Sequence, residues 1–111
     1  MPSQSWSFCE AVYSVAKKVP YGRVCTYGNI ARYLGCARSA RLVGWAMSQS
    51  HQDPTVPAHR IVNRNGLLSG KNHFTPPERM QALLEIEGTL VCDDQVMDFD
   101  TKNWDPNCEL I

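Results

Sequence analysis

The hydrophobic positions of this chain change period several times, and each change marks an element. Phe8, Val12, Val15, Ala16 and Val19 recur at helical spacing. Ser7-Phe8-Cys9-Glu10 has the form of a capping box, so an amphipathic helix is predicted over residues about 6–18. Pro20-Tyr21-Gly22 ends it, and Val24-Cys25 is a brief extended stretch. Thr26 is placed to cap a second helix, Tyr27 to Leu34, with Gly35 as its stop. Ser39 is placed to cap a third, running to about Ser48. On it Ala40, Val43 and Met47 form a core stripe, while Arg41, Trp45 and Ser48 share another face. The two helices meet through Gly35-Cys36-Ala37-Arg38, which is the length and spacing of a helix-turn-helix.

Further along, Ser50 to Pro57 is a polar loop containing two prolines. Ile61 to Leu68 carries Asn65-Gly66, a two-residue turn signal that predicts a β hairpin, read here as a wing behind the helix-turn-helix. Thr75-Pro76-Pro77-Glu78 predicts a helix start, with Thr75 as N-cap, Pro in the first turn and Glu78 closing a capping box. Met80, Leu83 and Leu84 give that helix an apolar face, and Glu87-Gly88 ends it. Residues 92–111 read as an irregular, loosely packed acidic tail. The expectation is one domain over residues 1–111, mainly α: a winged helix-turn-helix with a small β hairpin wing.

Composition narrows the class. A chain of 111 residues at 43% hydrophobic content suits one core. No apolar run is long enough to span a membrane, and "MPSQSWSFCEAVYS" lacks the basic and apolar regions of a signal peptide, so an intracellular, membrane-free protein is expected. The five cysteines are odd in number with no C-x-x-C pair, which argues for reduced thiols rather than disulfides or zinc. His51, His59 and His73 do not make a metal-ligand spacing, so neither metal nor cofactor is expected. Charge is divided. Residues 1–72 carry nine cations and two acids, and residues 73–111 carry two cations and nine acids, a formal +7 against −7. A basic front suggests a polyanion partner.

Nucleophilic catalysis wants a Cys or Ser beside a base that a carboxylate orients. His59 and Glu87 supply base and orienter, yet the residue next to His59 is Ala58, which cannot attack. Nucleic-acid binding makes better use of the chain. Arg41 stands in the first turn of the recognition helix, behind Arg38, and the small residues Ser39, Ala40 and Gly44 let that helix approach DNA closely. Tyr27 either presses on a phosphate or packs the helix pair. Trp45 either lies against a DNA sugar or covers the core. Asn63 and Arg64 in the wing are candidate phosphate contacts.

Four ordered segments resemble one family. Val19-Pro20-Tyr21-Gly22-Arg23-Val24-Cys25-Thr26-Tyr27-Gly28-Asn29-Ile30-Ala31 is similar to the P-x-G-x-V-x-T-Y-G-x-I-A segment of O6-alkylguanine-DNA alkyltransferases. Ala40-Arg41-Leu42-Val43-Gly44 resembles their A-R-x-V-G recognition helix. Pro57-Ala58-His59-Arg60-Ile61-Val62 resembles their P-C-H-R-V-V active-site strand, and Leu83-Leu84-Glu85-Ile86-Glu87-Gly88 their L-L-x-x-E-G helix end. The informative departure is Ala58, which falls where the family carries its acceptor cysteine. That replacement is the mark of alkyltransferase-like proteins.

The resemblance implies a domain that binds the DNA minor groove and flips a damaged guanine into a pocket. Arg41 would fill the gap in the base stack and Tyr27 would help rotate the target phosphate. Pro57, Ala58, His59 and Ile61 would line the pocket, with Ser69-Gly70-Lys71-Asn72 as its lid, Lys71 lying over the guanine or facing a phosphate. His59 and Glu87 would persist as a structural hydrogen-bonded pair. The alanine would also enlarge the pocket toward bulkier alkyl groups. The implied function is a non-enzymatic, monomeric sensor of O6-alkylguanine in double-stranded DNA that flags lesions for nucleotide excision repair proteins. Two alternatives stay open: an active alkyltransferase using another thiol such as Cys25, and a winged-helix transcription regulator.

Overall fold

The computed structural model describes residues 4–110, with side chains from Ser7; residues 1–3 and 111, the ends of the expected single domain and its tail, lie outside the described residues. The first helix, α1 (Gln4–Ala16), buries Val12, Val15 and Ala16, with Val19 just beyond its end. Because α1 begins at Gln4, Ser7 sits within the helix and does not cap it. After a turn at Gly22 the chain forms β1 (Cys25–Thr26) and α2 (Tyr27–Tyr33). Thr26 caps α2 as expected, its Oγ1 accepting from the Asn29 N–H at 3.0 Å. Gly35 leaves the helix at φ +78°, a left-handed conformation that glycine adopts at little cost. One 3-10 turn, Ala37–Ser39, leads into α3 (Ala40–Ser48). Ser39 makes no side-chain cap bond there, because that turn already carries the chain into the helix. Val43 and Met47 are buried, and α2 and α3 pack together as the helix-turn-helix.

The β2 strand (Ile61–Val62) pairs in parallel with β1, Cys25 opposite Ile61 and Thr26 opposite Val62. Alternate residues of a strand face opposite sides, and here this divides the core. Cys25 and Ile61 join a cluster with α1, α2 and α3, while Val24 and Val62 join a second cluster with Met80, Leu84, Val91 and Val96. The two-residue pair therefore sits between the helix-turn-helix and the C-terminal part of the fold.

Larger sequence expectations are corrected as well. Asn65-Gly66 does turn the chain, but the return does not ladder against β2. The turn closes on Asn63 itself: its Oδ1 accepts from the N–H groups of Asn65 and Leu67, both at 2.9 Å, and its own N–H donates to the Leu67 carbonyl at 3.1 Å. Leu67 instead bridges Gln95, beside the antiparallel hairpin of β3 (Val91–Cys92) and β4 (Gln95–Val96). The wing is built from residues 91–96, turning through Asp93 and Asp94 at φ 52° and 61°. The helix expected from Thr75 starts later, as α4 (Arg79–Ile86), because residues 74–76 bend and residues 77–78 form a turn before the first helical residue.

Residues 92–111 are not loose. They carry β4, then α5 (Phe99–Lys102) and α6 (Pro106–Glu109), and they bury Val96, Trp104 and Pro106. The Trp104 N–H donates to the Val24 carbonyl at 2.7 Å, and the Val24 N–H to the Lys102 carbonyl at 3.0 Å, which adds a third parallel rung beside β1. Acidic content marks a tail only when no apolar residue docks it, and Trp104 docks this one.

The turn offers a test of how the wing is held. Gly66 has φ +77°, and a Cβ there would lie 3.0 Å from the Phe99 ring. Gly66→Ala adds left-handed strain to that clash and is expected to cost about 1–3 kcal/mol, read as a lower urea midpoint at unchanged slope.

Candidate DNA-lesion site

A cavity of about 710 Å³ opens where α2, α3 and the loops after β2 converge. Its volume falls in the range of small-molecule sites. Tyr27 at the start of α2 and Gly44 of α3 lie together on its wall; a Cβ on Gly44 would come 4.0 Å from the Tyr27 ring. Arg41 and Ala40 contribute from the first turn of α3, where the exposed Arg41 side chain is unpaired among the described residues. Ala58, Asn63, Arg64, Ser69 and Gly70 complete the predicted part of the lining. Burial raises the Tyr27 phenol pKa, with the Ser69 hydroxyl opposing, so Tyr27 is a neutral hydroxyl at any physiological pH.

Other predicted residues lie elsewhere. Ile61 is 1% exposed in β2, buried in the core by its pairing with Cys25. Pro57 and His59 face a second cavity on the other side of Ala58. Lys71 turns away to Asp94, with Nζ 2.5 Å from its carboxylate, and Asn72 is exposed; neither is on the cavity lining. Arg38 and Ser39 stand just ahead of α3, outside the lining. Trp45, 45% exposed, borders a separate groove between α1 and α3.

Sequence reading missed several lining residues. Asn103 and Phe99 arrive from the C-terminal segment, and His51, His73 and Phe74 from two loops. The Asn29 amide donates to Asn103 Oδ1 at 3.1 Å, and Arg32 donates to Asn29 Oδ1 at 2.6 Å while pairing with Asp105 at 3.3 Å. Asn29 and Arg32 share a helix face three residues apart, which was legible; their partners were not.

Behind Ala58 stands a compact ionic knot. His59 Nε2 and Glu87 Oε2 are 2.6 Å apart, and Arg60 Nε and Nη2 donate to the same carboxylate at 2.9 and 2.8 Å. Arg60 Nη1 also donates to the Val19 carbonyl, and the Gly22 N–H donates to Glu87 Oε1 at 3.0 Å. The Tyr21 ring covers the Arg60 guanidinium at 5.6 Å. Burial raises the Glu87 carboxyl, but the bonds from Arg60, Gly22 and His59 outweigh it and bring its pKa down to about 2. Burial holds His59 below its ordinary value despite Glu87, so the neutral ring carries its proton on Nε2 toward the carboxylate.

None of the five thiols lines the main cavity. Cys25 is fully buried, its pKa pushed up to about 12 by burial first and by Asp105 second. Such a thiol is neither ionised nor within reach of a bound base.

The DNA-binding domain of 6-O-methylguanine DNA methyltransferase matches residues 7–89. The chain belongs to this family. Alkyltransferase-like protein 1 of Schizosaccharomyces pombe is 42% identical over 84 residues, spanning 76% of this chain and 78% of the relative. The DNA base-flipping protein of Escherichia coli is 34% identical over 100 residues, 88% of this chain and 74% of that protein. The fold also superposes on S. pombe Atl1 in complex with damaged DNA containing O6-carboxymethylguanine, at TM-score 0.81 and 35% identity, over 96% of this chain and all of that one. Against the methyltransferase members, such as that of Salmonella typhimurium, the chain spans about half the relative's length, 48%. Among the described residues, no helix is long and apolar enough to cross a membrane, and no cluster of three His, Cys, Asp or Glu gathers as a metal site.

Proposed function

We propose that this protein is a non-enzymatic sensor of O6-alkylguanine in double-stranded DNA. It enters the minor groove with α3, turns the modified guanine into the cavity beside Tyr27, and flags the lesion for nucleotide excision repair. The observation that carries this reading is Ala58. It lies on the cavity wall in front of the His59–Glu87–Arg60 knot, at the position where the resembling alkyltransferases carry their acceptor cysteine. A base could be held there, but no atom at that position could accept its alkyl group.

Flipping costs a few kcal/mol of lost stacking, less for a guanine whose pairing the O6 substituent has already weakened. In this reading Arg41, exposed on the cavity lining, fills the vacated stack and so offsets that cost. Basic residues around it bring the phosphates, and affinity is expected to fall with salt. The relatives named for base flipping and crystallised on damaged DNA support this reading.

Gel shifts with matched guanine and O6-methylguanine duplexes test it. Binding that rises with the lesion, whatever the flanking sequence, is expected; preference for one undamaged sequence would instead favour a transcription regulator. Mass spectrometry after incubation with methylated duplex should find no added methyl on any peptide. A methyl on Cys25 or another thiol would make the protein a transferase. In a reconstituted nucleotide-excision reaction, the protein should speed incision at O6-alkylguanine.

A further inference from the structure

Four of the five most exposed large hydrophobic side chains among the described residues gather at one place, behind the Arg60 knot. Ile86 is 72% exposed, Tyr21 66%, Leu90 58% and Met97 48%, and none of them lines the main cavity. Their backbones adjoin. The Tyr21 hydroxyl donates to the Ile86 carbonyl at 3.2 Å, and the Met97 N–H donates to the Leu90 carbonyl at 2.9 Å, at the open end of the wing hairpin. Strand alternation turns Leu90 and Met97 outward, because their neighbours Val91 and Val96 are paired with each other and buried. Ile86 lies two residues beyond the buried Leu84, so it falls on the opposite face of α4. An apolar patch of this kind, rimmed by charge, marks a surface that another molecule covers.

The rim is acidic. Glu85 beside Ile86, Asp98 beside Met97 and Asp93 at the tip of the wing are exposed and without an ion-pair partner among the described residues. Against them stands Lys102, whose Nζ lies 3.4 Å from the Gly88 carbonyl, while Arg23 directs its guanidinium to the carbonyls of Lys102 and Asn103. Part of the formal −7 of residues 73–111 thus surrounds the patch, whereas Arg41 and Arg64 border the cavity. A face of this sign is repelled by phosphates and stays open while DNA is held. β3 is also the outer strand of its sheet, since β4 is the one bridged by Leu67.

Resting on the sensor reading, we infer that this patch is where the excision protein docks, through an extended segment that carries apolar side chains between lysines or arginines. The apolar side chains cover Ile86, Leu90 and Met97, and the cations meet Glu85, Asp93 and Asp98. An extended segment can also add to the open edge of β3. Docking of this kind leaves α3 and the cavity unobstructed, so lesion and partner are held at once on separate faces. Tyr21 joins the two faces: its ring covers Arg60 of the knot behind Ala58, and its hydroxyl holds the end of α4.

The test follows incision of an O6-methylguanine duplex as purified excision proteins are titrated at saturating sensor. Ile86→Ser/Leu90→Ser/Met97→Ser should need roughly tenfold more excision protein to reach the parent's rate, with lesion affinity in gel shifts within about twofold of the parent. Tyr21 is left in place because it also covers Arg60. Glu85→Gln/Asp93→Asn/Asp98→Asn should need roughly threefold more, the size of effect that exposed charge pairs give. Asparagine keeps the left-handed backbone of positions 93 and 98. The inference is overturned if the serine variant needs no more excision protein than the parent, or if the parent prefers the lesion yet speeds no incision. A parent dimer in sedimentation that the serine variant loses would also overturn it, by giving the patch to a second copy of this chain. Equal parent binding to guanine and O6-methylguanine duplexes would instead mark the failure of the sensor reading, and the docking face would fall with it.

Discussion

Glu87→Ala is expected to destabilise the fold by about 3–5 kcal/mol, a large part of the stability of a domain this size. The substitution removes few contacts, but it strands charges. The Arg60 side chain is 16% exposed and faces Glu87 through three hydrogen bonds, so without the carboxylate a guanidinium stays buried and unpaired. Gly22 and His59 lose their acceptor too, which loosens the turn after α1 and the segment holding Ala58. Urea unfolding at constant slope checks the magnitude. Replacing both partners, Arg60→Met with Glu87→Leu, should cost much less than Glu87→Ala alone, because no bare charge is left behind.

The same knot sets an acid limit. Glu87 titrates near 2 in the fold against an ordinary 4.5, so its contribution is complete above the ordinary value and fades as pH falls from there through about 2. His59, held below its ordinary 6.5, acts in the same direction, because the unfolded chain takes up its proton first. Stability should therefore decline progressively below pH 6.5, with the steepest part below 4.5. The Glu87→Ala variant should show a flatter acid limb.

The second large effect concerns binding. Arg41→Ala should lower affinity for an O6-methylguanine duplex by about 2–3 kcal/mol, roughly 30- to 150-fold, while reducing affinity for undamaged duplex far less. The asymmetry follows from its position. Arg41 is exposed, contributes nothing to the core, and borders the cavity mouth. A mere phosphate contact would weaken both duplexes alike and reduce the salt slope by about one. Fluorescence of a base analogue opposite or beside the lesion reports flipping directly, and its signal should fall in the variant at saturating protein. An unchanged lesion preference would remove Arg41 from the flipping role.

Much of this protein is written locally. Periodic apolar residues mark α1 and α3, Thr26 caps α2 through its own hydroxyl, and Gly35 and Gly88 end their helices at positive φ. These outcomes depend on neighbours within a turn or two, where side-chain spacing and backbone preference suffice. The four family segments, and Ala58 among them, also belong to the sequence alone, since they concern residue identity and order.

Long-range packing decided the rest. Strands of two residues are too short to show a period, so the pairing of β1 with β2 and the true wing at residues 91–96 had no local signal. The tail read as loose because its acids outnumber its apolar residues, yet Trp104 and Val96 reach two separate core clusters and bring Asn103 and Phe99 to the cavity. Whether Lys71 faces a base or Asp94 depends on where a residue 23 positions away comes to rest. The sequence by itself determined that α1, α2 and α3 form and that no thiol follows Pro57. Only the tertiary structure, by closing contacts whose partners are distant along the chain, decided what surrounds Ala58 and that a second cavity lies behind it.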